Sequence, residues 1–174
     1  MYYNQHVSSL FKRTRKRAIT LICALFFSAI FICAPSLQAA PYNNAAALRL
    51  EAGKDGNSGF TFKHFFFDPI ALEVMLLSDM KEGVELSGLC EYQSPIPGLS
   101  KEFYWFAGAG LHAGSWGEKD QFVAGVDAVI GIEYVLPDLP MAIGVDWHPV
   151  ANFISEKEQK IWPIKFGVSL RYCF

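Results

Sequence analysis

The last residues of the chain, "PIKFGVSLRYCF", place an apolar side chain at every second position. Successive side chains of a β-strand point to opposite faces, so this spacing gives one apolar face and one face of polar or small residues. The same two-residue period runs through "FVAGVDAVIGIEY" and "MAIGVDWHP", whereas an amphipathic helix needs spacings of three and four. The periodicity therefore predicts an all-β fold.

Short turn signals divide the periodic part of the chain into strand-length segments. Glycine and asparagine mark "KDGNSG", and prolines mark "FDP", "QSPIPGLSKE" and "LPDLP". These signals predict eight strands, at approximately residues 45–53, 59–67, 70–78, 84–93, 102–114, 120–136, 140–149 and 162–174. Since no domain boundary interrupts the series, we expect one antiparallel up-and-down domain over residues 41–174.

The first 40 residues have the order of a secretory signal peptide. A basic cluster ends at Arg17, an apolar run extends from Ala18 to Ala34, and the small residues of "PSLQAA" follow. We expect this segment to be cleaved after Ala39 or Ala40, leaving the mature domain. A single membrane-spanning helix is the alternative, although the apolar run is at the short limit for crossing a bilayer.

Removal of the leader changes the charge and the cysteine content of the chain. The sequence has 15 basic against 17 acidic residues, and residues 1–40 hold five of the basic residues and none of the acids. The mature domain is therefore acidic, which argues against nucleic acid as a partner. Its two cysteines, Cys90 and Cys173, fall in the fourth and eighth predicted strands. These strands lie on opposite sides of a closed barrel, so free thiols are expected.

The polar faces of the predicted strands carry charges that alternate with apolar, often aromatic, residues. A soluble barrel would need a richly charged exterior, yet only 18% of the residues are charged and 52% are hydrophobic. A transmembrane barrel turns its apolar faces toward lipid and its polar faces inward. We therefore predict an eight-stranded transmembrane β-barrel with a packed interior network of Arg49, Glu51, Lys63, Glu73, Glu85, Asp127, Glu133, Asp146, Lys165 and Arg171.

The final strand carries a more specific signal. Its apolar residues and terminal phenylalanine resemble the C-terminal signal by which outer-membrane barrels of Gram-negative bacteria are recognised by their assembly machinery. The residues concerned are Phe166, Val168, Leu170, Tyr172 and Phe174. With the leader and the amphipathic strands, the mature segment resembles the small eight-stranded barrels of the outer-membrane-protein-X and OmpA-barrel type.

This resemblance implies an outer-membrane location, contact with lipid and lipopolysaccharide, insertion by the assembly machinery and a monomeric state. With the N-terminus in the periplasm, the outward loops would be "GKDGNSG", "SDMKEG", "SWGEKDQ" and "VANFISEKEQKIW", of which only the last is long. We therefore expect a structural or protective role, or an interaction made through these loops.

The residues give little support to catalysis, so the sequence leans away from an enzyme. Outer-membrane lipid A deacylases place a histidine and a serine two residues apart, but Pro149 and Val150 follow His148. His112 and His148 fall near the expected extracellular ends of their strands, where they would form a rim site or fill hydrogen bonds in a polar interior. We expect no catalytic residues, metal or cofactor. The alternatives are a lipid A-modifying enzyme, a narrow solute or ion conduit, and a soluble periplasmic lipocalin-like binder of an apolar ligand.

Overall fold

The computed structural model of the protein describes residues 40–53, 56–79, 83–116, 121–154, 161–162 and 165–174. The signal peptide predicted over residues 1–40 lies outside the described residues, except for Ala40. Within these ranges, no helix has the length and apolar character needed to cross a membrane. The strands are β1 (Asn44–Ala52), β2 (Asn57–Phe67), β3 (Ile70–Ser78), β4 (Gly83–Pro95), β5 (Phe103–Trp116), β6 (Gln121–Val135), β7 (Met141–Trp147), β8 (Val150–Ile154), β9 (Ile161–Trp162) and β10 (Phe166–Cys173).

The strands of the described residues belong to one antiparallel sheet that closes on itself. β1 pairs with β2 on one side and with β10 on the other, and β5 pairs with both β4 and β6. β7 and β8 follow one another along β6, while β9 pairs with β8 and β10 pairs with β7. The sheet therefore has eight positions, which confirms the predicted eight-stranded antiparallel up-and-down barrel.

The seventh strand extends further than the sequence predicts. Its predicted end at residue 149, and the outward loop predicted from residue 150, are wrong, because β8 resumes at Val150 and pairs with β6 as far as Ile154. Pro149 lacks the N–H that a strand ladder needs, so the regular pattern is interrupted there. Its carbonyl nevertheless accepts a hydrogen bond from the Ala128 nitrogen at 3.0 Å. The pairing with β6 therefore continues past the proline.

The register around the barrel sets the tilt of its strands. Directly opposed residues, followed from Arg49 through β2, β3 and β4, lead to Gly114 of β5. Followed through β10, β7 and β6, they lead instead to Tyr104, ten residues away on the same strand. With a rise of about 3.3 Å per residue and about 4.8 Å between strands, this stagger gives a tilt of about 40°. About ten residues of such a strand cross the apolar layer of a bilayer.

The two faces of each strand differ in their exposure. Along β1, buried and exposed residues alternate, with Leu48 and Leu50 on the exposed face. Phe60 of β2 is 67% exposed, whereas Lys63 of the same strand has no exposed surface. This pattern is the reverse of a soluble barrel, because the apolar side chains point outward and the charges point inward.

Inward glycines make room for the largest interior side chains. Gly167 of β10 lies against the guanidinium group of Arg49, and Gly131 of β6 lies against the ring of Phe106. A Cβ atom at either glycine would overlap with those groups. The absence of a side chain at these two positions therefore provides the volume that Arg49 and Phe106 fill.

The two ends of the barrel differ in their connections. At one end, here called the turn end, lie the connections 68–69, 96–102 and 136–140, together with the N-terminal described residues and Phe174. A cluster of Tyr42, Ala45, Phe65 and Ala71 fills the interior there. At the opposite end, here called the loop end, β1 ends and β2 begins, β3 ends and β4 begins, β5 ends and β6 begins, and β8 ends and β9 begins.

Candidate functional site: the charged interior

The structure places all ten predicted network residues inside the barrel, where each has at most 8% of its surface exposed. Strands of the barrel alternate inward and outward residues, so every second position of a strand contributes to this interior. The charges form two networks, one toward the turn end and one toward the loop end. The interior also holds an apolar cluster of Met75, Leu77, Leu89, Phe106 and Val129.

Arg171 organises the network toward the turn end. Its Nη1 and Nη2 atoms donate to the two carboxylate oxygens of Glu73 at 2.8 and 3.1 Å. Its Nε atom lies 2.8 Å from Oε2 of Glu133. A guanidinium group that holds one carboxylate through two hydrogen bonds and contacts a second is fixed in orientation as well as in charge. Arg171 therefore connects β10 to β3 and to β6.

Lys63 extends this network across the barrel. Its Nζ atom lies 2.6 Å from Oε2 of Glu91 and donates to Oε1 of Gln93 at 2.6 Å. Gln93 in turn donates to Oε1 of Glu133 at 2.8 Å, and the Tyr42 hydroxyl donates to the same oxygen at 2.8 Å. Glu133 is therefore the point where the contacts of Lys63 and Arg171 meet.

Glu91 and Gln93 belong to the same network, although they were not predicted from the sequence. Both are almost fully buried and both contact Lys63. The signal was available, because they follow Glu85 on β4 at even spacings and therefore share its inward face.

Arg49 organises the network toward the loop end. Its Nη1 and Nη2 atoms donate to the two carboxylate oxygens of Asp146, both at 2.7 Å. Its Nε atom donates to Glu51 at 3.1 Å, and Nη1 also donates to the Ser169 hydroxyl at 3.2 Å. All three partners are buried, so these bonds are shielded from water and from screening by salt. They tie β1 to β7 and β10.

Glu51 links Arg49 to a second basic group. Oε2 of Glu51 lies 3.0 Å from Nζ of Lys165, which also lies 3.5 Å from Oε1 of Glu85. Oε1 of Glu51 lies 2.9 Å from Nδ1 of His148. One carboxylate therefore serves residues from three strand positions, which explains why it can be buried with its charge satisfied.

His112 and His148, predicted as a possible rim site, are both inside the barrel, with 3% and 0% of their surfaces exposed. Nδ1 of His112 lies 2.7 Å from Oδ1 of Asp127, and Nε2 of His148 lies 3.8 Å from the same Oδ1 atom. Nε2 of His112 lies 2.7 Å from Oδ1 of Asn152. The structure thus brings both histidines together around Asp127. Among the residues that it describes, no cluster of histidine, cysteine and acidic residues could hold a metal ion.

Asn152 is another interior contact residue that was not predicted from the sequence. It lies on β8, in the segment that was expected to be an outward loop. Pro149, just before β8, interrupts the alternating pattern. The pattern therefore did not indicate that Asn152 faces inward on the seventh strand position of the barrel, which β7 and β8 share.

Acids outnumber bases in the described interior. The buried acids are Glu51, Glu73, Glu85, Glu91, Asp127, Glu133 and Asp146, and the buried bases are Arg49, Lys63, Lys165 and Arg171. The described interior therefore has an excess of acidic side chains, which favours cations over anions.

The outward residues predicted as the C-terminal signal form a second surface. Phe166, Val168, Leu170, Tyr172 and Phe174 are all between 46% and 59% exposed. The backbone of Phe174 exchanges two hydrogen bonds with Asn44, at 2.8 and 2.9 Å. The end of the chain is therefore paired to β1 while its apolar side chains remain on the outside.

A closed eight-stranded barrel with a charged interior and an apolar exterior has the fold of the small outer-membrane barrels, as the resemblance implied. Among solved structures, the chain is similar to the N-terminal β-barrel domain of Pseudomonas aeruginosa OprF, at 15% identity and a TM-score of 0.54, over 74% of this chain and 96% of that one. It also matches Neisserial surface protein A, at 14% identity and a TM-score of 0.44, over 75% of this chain and 94% of that one. No family model and no curated protein matches the sequence.

Proposed function

We propose that the mature chain is an integral outer-membrane barrel with a solid, ion-paired interior and a structural or protective role. The observation that carries this proposal is the reversal of the two faces, with Lys63 fully buried and Phe60 two-thirds exposed on one strand. In water, this arrangement would expose a continuous apolar surface and bury charges at a large desolvation cost. In a bilayer, the same exterior is favourable, and a closed sheet leaves no backbone group unpaired in lipid.

Aromatic side chains near the turn end support a position across a membrane. Aromatic rings favour the boundary between apolar lipid and headgroups, because that boundary accommodates both their apolar faces and their polar atoms. At this end, two aromatic rings lie close together in each of three pairs, namely Tyr92 with Trp105, Phe103 with Tyr134, and Tyr172 with Phe174.

The expected partners follow from the same surfaces. The apolar exterior would contact lipid and the acyl chains of lipopolysaccharide, and the outward face of β10 would be presented to the assembly machinery. Because β1 pairs with β10, no strand edge is left free along that seam, which supports a monomer. The acidic mature sequence supports the absence of a nucleic-acid partner.

Cell fractionation tests the location, together with gel mobility before and after boiling. Protein expressed with its own leader should sediment with the outer membrane and migrate faster unheated than heated, because the compact barrel resists detergent. Soluble protein in the periplasm with no mobility shift would favour the lipocalin-like alternative.

Planar bilayers test the narrow conduit. The interior is filled by the ion pairs of Arg49, Arg171 and Lys63 and by an apolar cluster, so we expect no steady ohmic conductance from the purified protein. Reproducible single-channel steps with cation selectivity would instead favour the conduit.

A deletion strain separates a structural role from lipid A modification. We expect the strain to become more sensitive to detergents and large antibiotics while its lipid A mass spectrum stays unchanged. The same strain complemented with the wild-type gene is the control. A changed acylation pattern of lipid A that the gene restores would favour the enzyme.

A further inference from the structure

The first described residue of the chain contacts a turn of the barrel. The backbone nitrogen of Ala40 lies 2.6 Å from Oδ1 of Asp68, the residue that follows β2 at the turn end. The nitrogen of Ala40 therefore donates a hydrogen bond to the carboxylate of Asp68.

The residues after Ala40 are attached to the barrel by Tyr42 and Asn43. Tyr42 is buried, its hydroxyl donates to Glu133 at 2.8 Å, and its ring meets the ring of Phe65 edge-on with the centroids 5.4 Å apart. The nitrogen of Phe65 donates to the carbonyl of Asn43 at 3.0 Å. Ala40 itself packs against this cluster. The segment from Ala40 to Asn43, here called the plug, is thus anchored at the turn end by the buried side chain of Tyr42.

The residues around Ala40 distinguish the two expected cleavage positions. Cleavage after Ala40 would make Pro41 the first residue, and the bond to be cut would be an alanine–proline amide, whose nitrogen lies in a ring and carries no hydrogen. It would also remove Ala40 and its contact with Asp68. Cleavage after Ala39 cuts an ordinary amide between two small residues and keeps that contact.

We propose that the leader is removed between Ala39 and Ala40, and that the new α-ammonium group of Ala40 forms an ion pair with Asp68 that fastens the plug. This inference rests on the proposed export to the outer membrane. In the hydrolysis, the hydroxyl of a water molecule joins the carbonyl carbon of Ala39 and the carbon–nitrogen bond breaks. The nitrogen of Ala40 receives the remaining proton of the water and a second proton from solvent.

N-terminal sequencing and intact mass of the protein purified from cells that express the full precursor test the cleaved bond. The mature chain should begin Ala40-Pro41-Tyr42. A chain that begins at Pro41, or at any other residue, overturns the inference. Fractionation and heat-dependent mobility of the same sample judge the proposed function separately. An outer-membrane barrel with another first residue rejects only the cleavage position, whereas a protein that begins at Ala40 but is absent from the outer membrane rejects only the proposed function.

The rate of acylation of the α-amino group, measured on the N-terminal peptide with limiting reagent near neutral pH, tests the ion pair. Asp68→Asn should raise this rate by up to about fivefold, the effect of losing one exposed ion pair. Asp68→Glu keeps a carboxylate and should protect the amine at least in part. Asp138→Asn is the matched control, since Asp138 is exposed in another connection of the same end. An unchanged rate in Asp68→Asn overturns the ion pair, provided that each variant keeps its mobility shift on heating.

Discussion

A single inward side chain of this barrel forms contacts with residues of several strands. Arg171 is 1% exposed and holds Glu73 and Glu133, which are buried as well. A buried ion pair adds little net stability over an apolar replacement of all its members. Removal of one member alone is different, because it leaves an uncompensated charge inside the protein.

Arg171→Met should therefore lower the free energy of unfolding by about 3–5 kcal/mol, since two buried carboxylates lose their cation. Guanidinium titration of the barrel in detergent micelles measures this change. Lys101→Met, at an exposed position in the connection between β4 and β5, is the control and should change it by less than about 0.5 kcal/mol. Equal effects of the two substitutions would contradict a role of Arg171 in the interior network.

Two inward glycines on neighbouring strands offer a matched pair. A Cβ atom at Gly167 would overlap with the Arg49 guanidinium, which Asp146 holds in place, whereas a Cβ atom at Gly144 would meet its neighbours at 3.8–3.9 Å, an ordinary contact. Gly167→Ala should cost about 1–3 kcal/mol of stability through overpacking. Gly144→Ala should be neutral or stabilise by up to about 1 kcal/mol. The same titration compares them, and the reverse order would refute the assigned packing.

At the scale of the element, β10 shows what the two-residue period does. Val168 points outward and Ser169, the next residue, is buried 3.2 Å from Arg49. Val168→Asp should strongly reduce the fraction of the protein whose gel mobility changes on heating, since a carboxylate toward lipid costs roughly 1–3 kcal/mol. Ser169→Asp should be milder, because its carboxylate can pair with Arg49. Densitometry of unheated gels measures both, and equal tolerance would contradict the orientation of the strand.

The same period explains how much of the fold and site could be predicted. Alternation alone identifies which residues of β1, β6 and β10 face inward, because each strand reports its own faces. The partners of those residues could not be predicted. Arg49 meets Asp146, which lies 97 positions away, only because of the stagger around the closed sheet. Asn152 was not predicted as an inward residue for a local reason, since Pro149 interrupts the strand ladder without ending the pairing with β6.

At the scale of the whole molecule, the number of free cysteines tests two predictions. One is the separation of β4 and β10 in the closed barrel, and the other is the removal of the leader. Cys90 is exposed on β4, and Cys173 is half-buried on β10, away from β4 in the sheet order. The mature protein, denatured without reductant, should therefore react with two equivalents of an alkylating reagent. Mass spectrometry counts them. A count of zero would indicate a disulfide, and a count of four would indicate that Cys23 and Cys33 of the leader remain.

The shared carboxylates of the interior also limit which substitutions such a sequence can accept during evolution. Glu133 serves Arg171, Gln93 and Tyr42, so a new side chain at any of these positions changes the demands on the others. Outward positions carry no such dependence, because one apolar residue can replace another against lipid. Descendants of this chain should therefore exchange their outward residues one at a time and their inward residues in compensating sets. A barrel of this kind can lose most of its sequence identity to a relative and keep its shape, provided that the inward changes occur together.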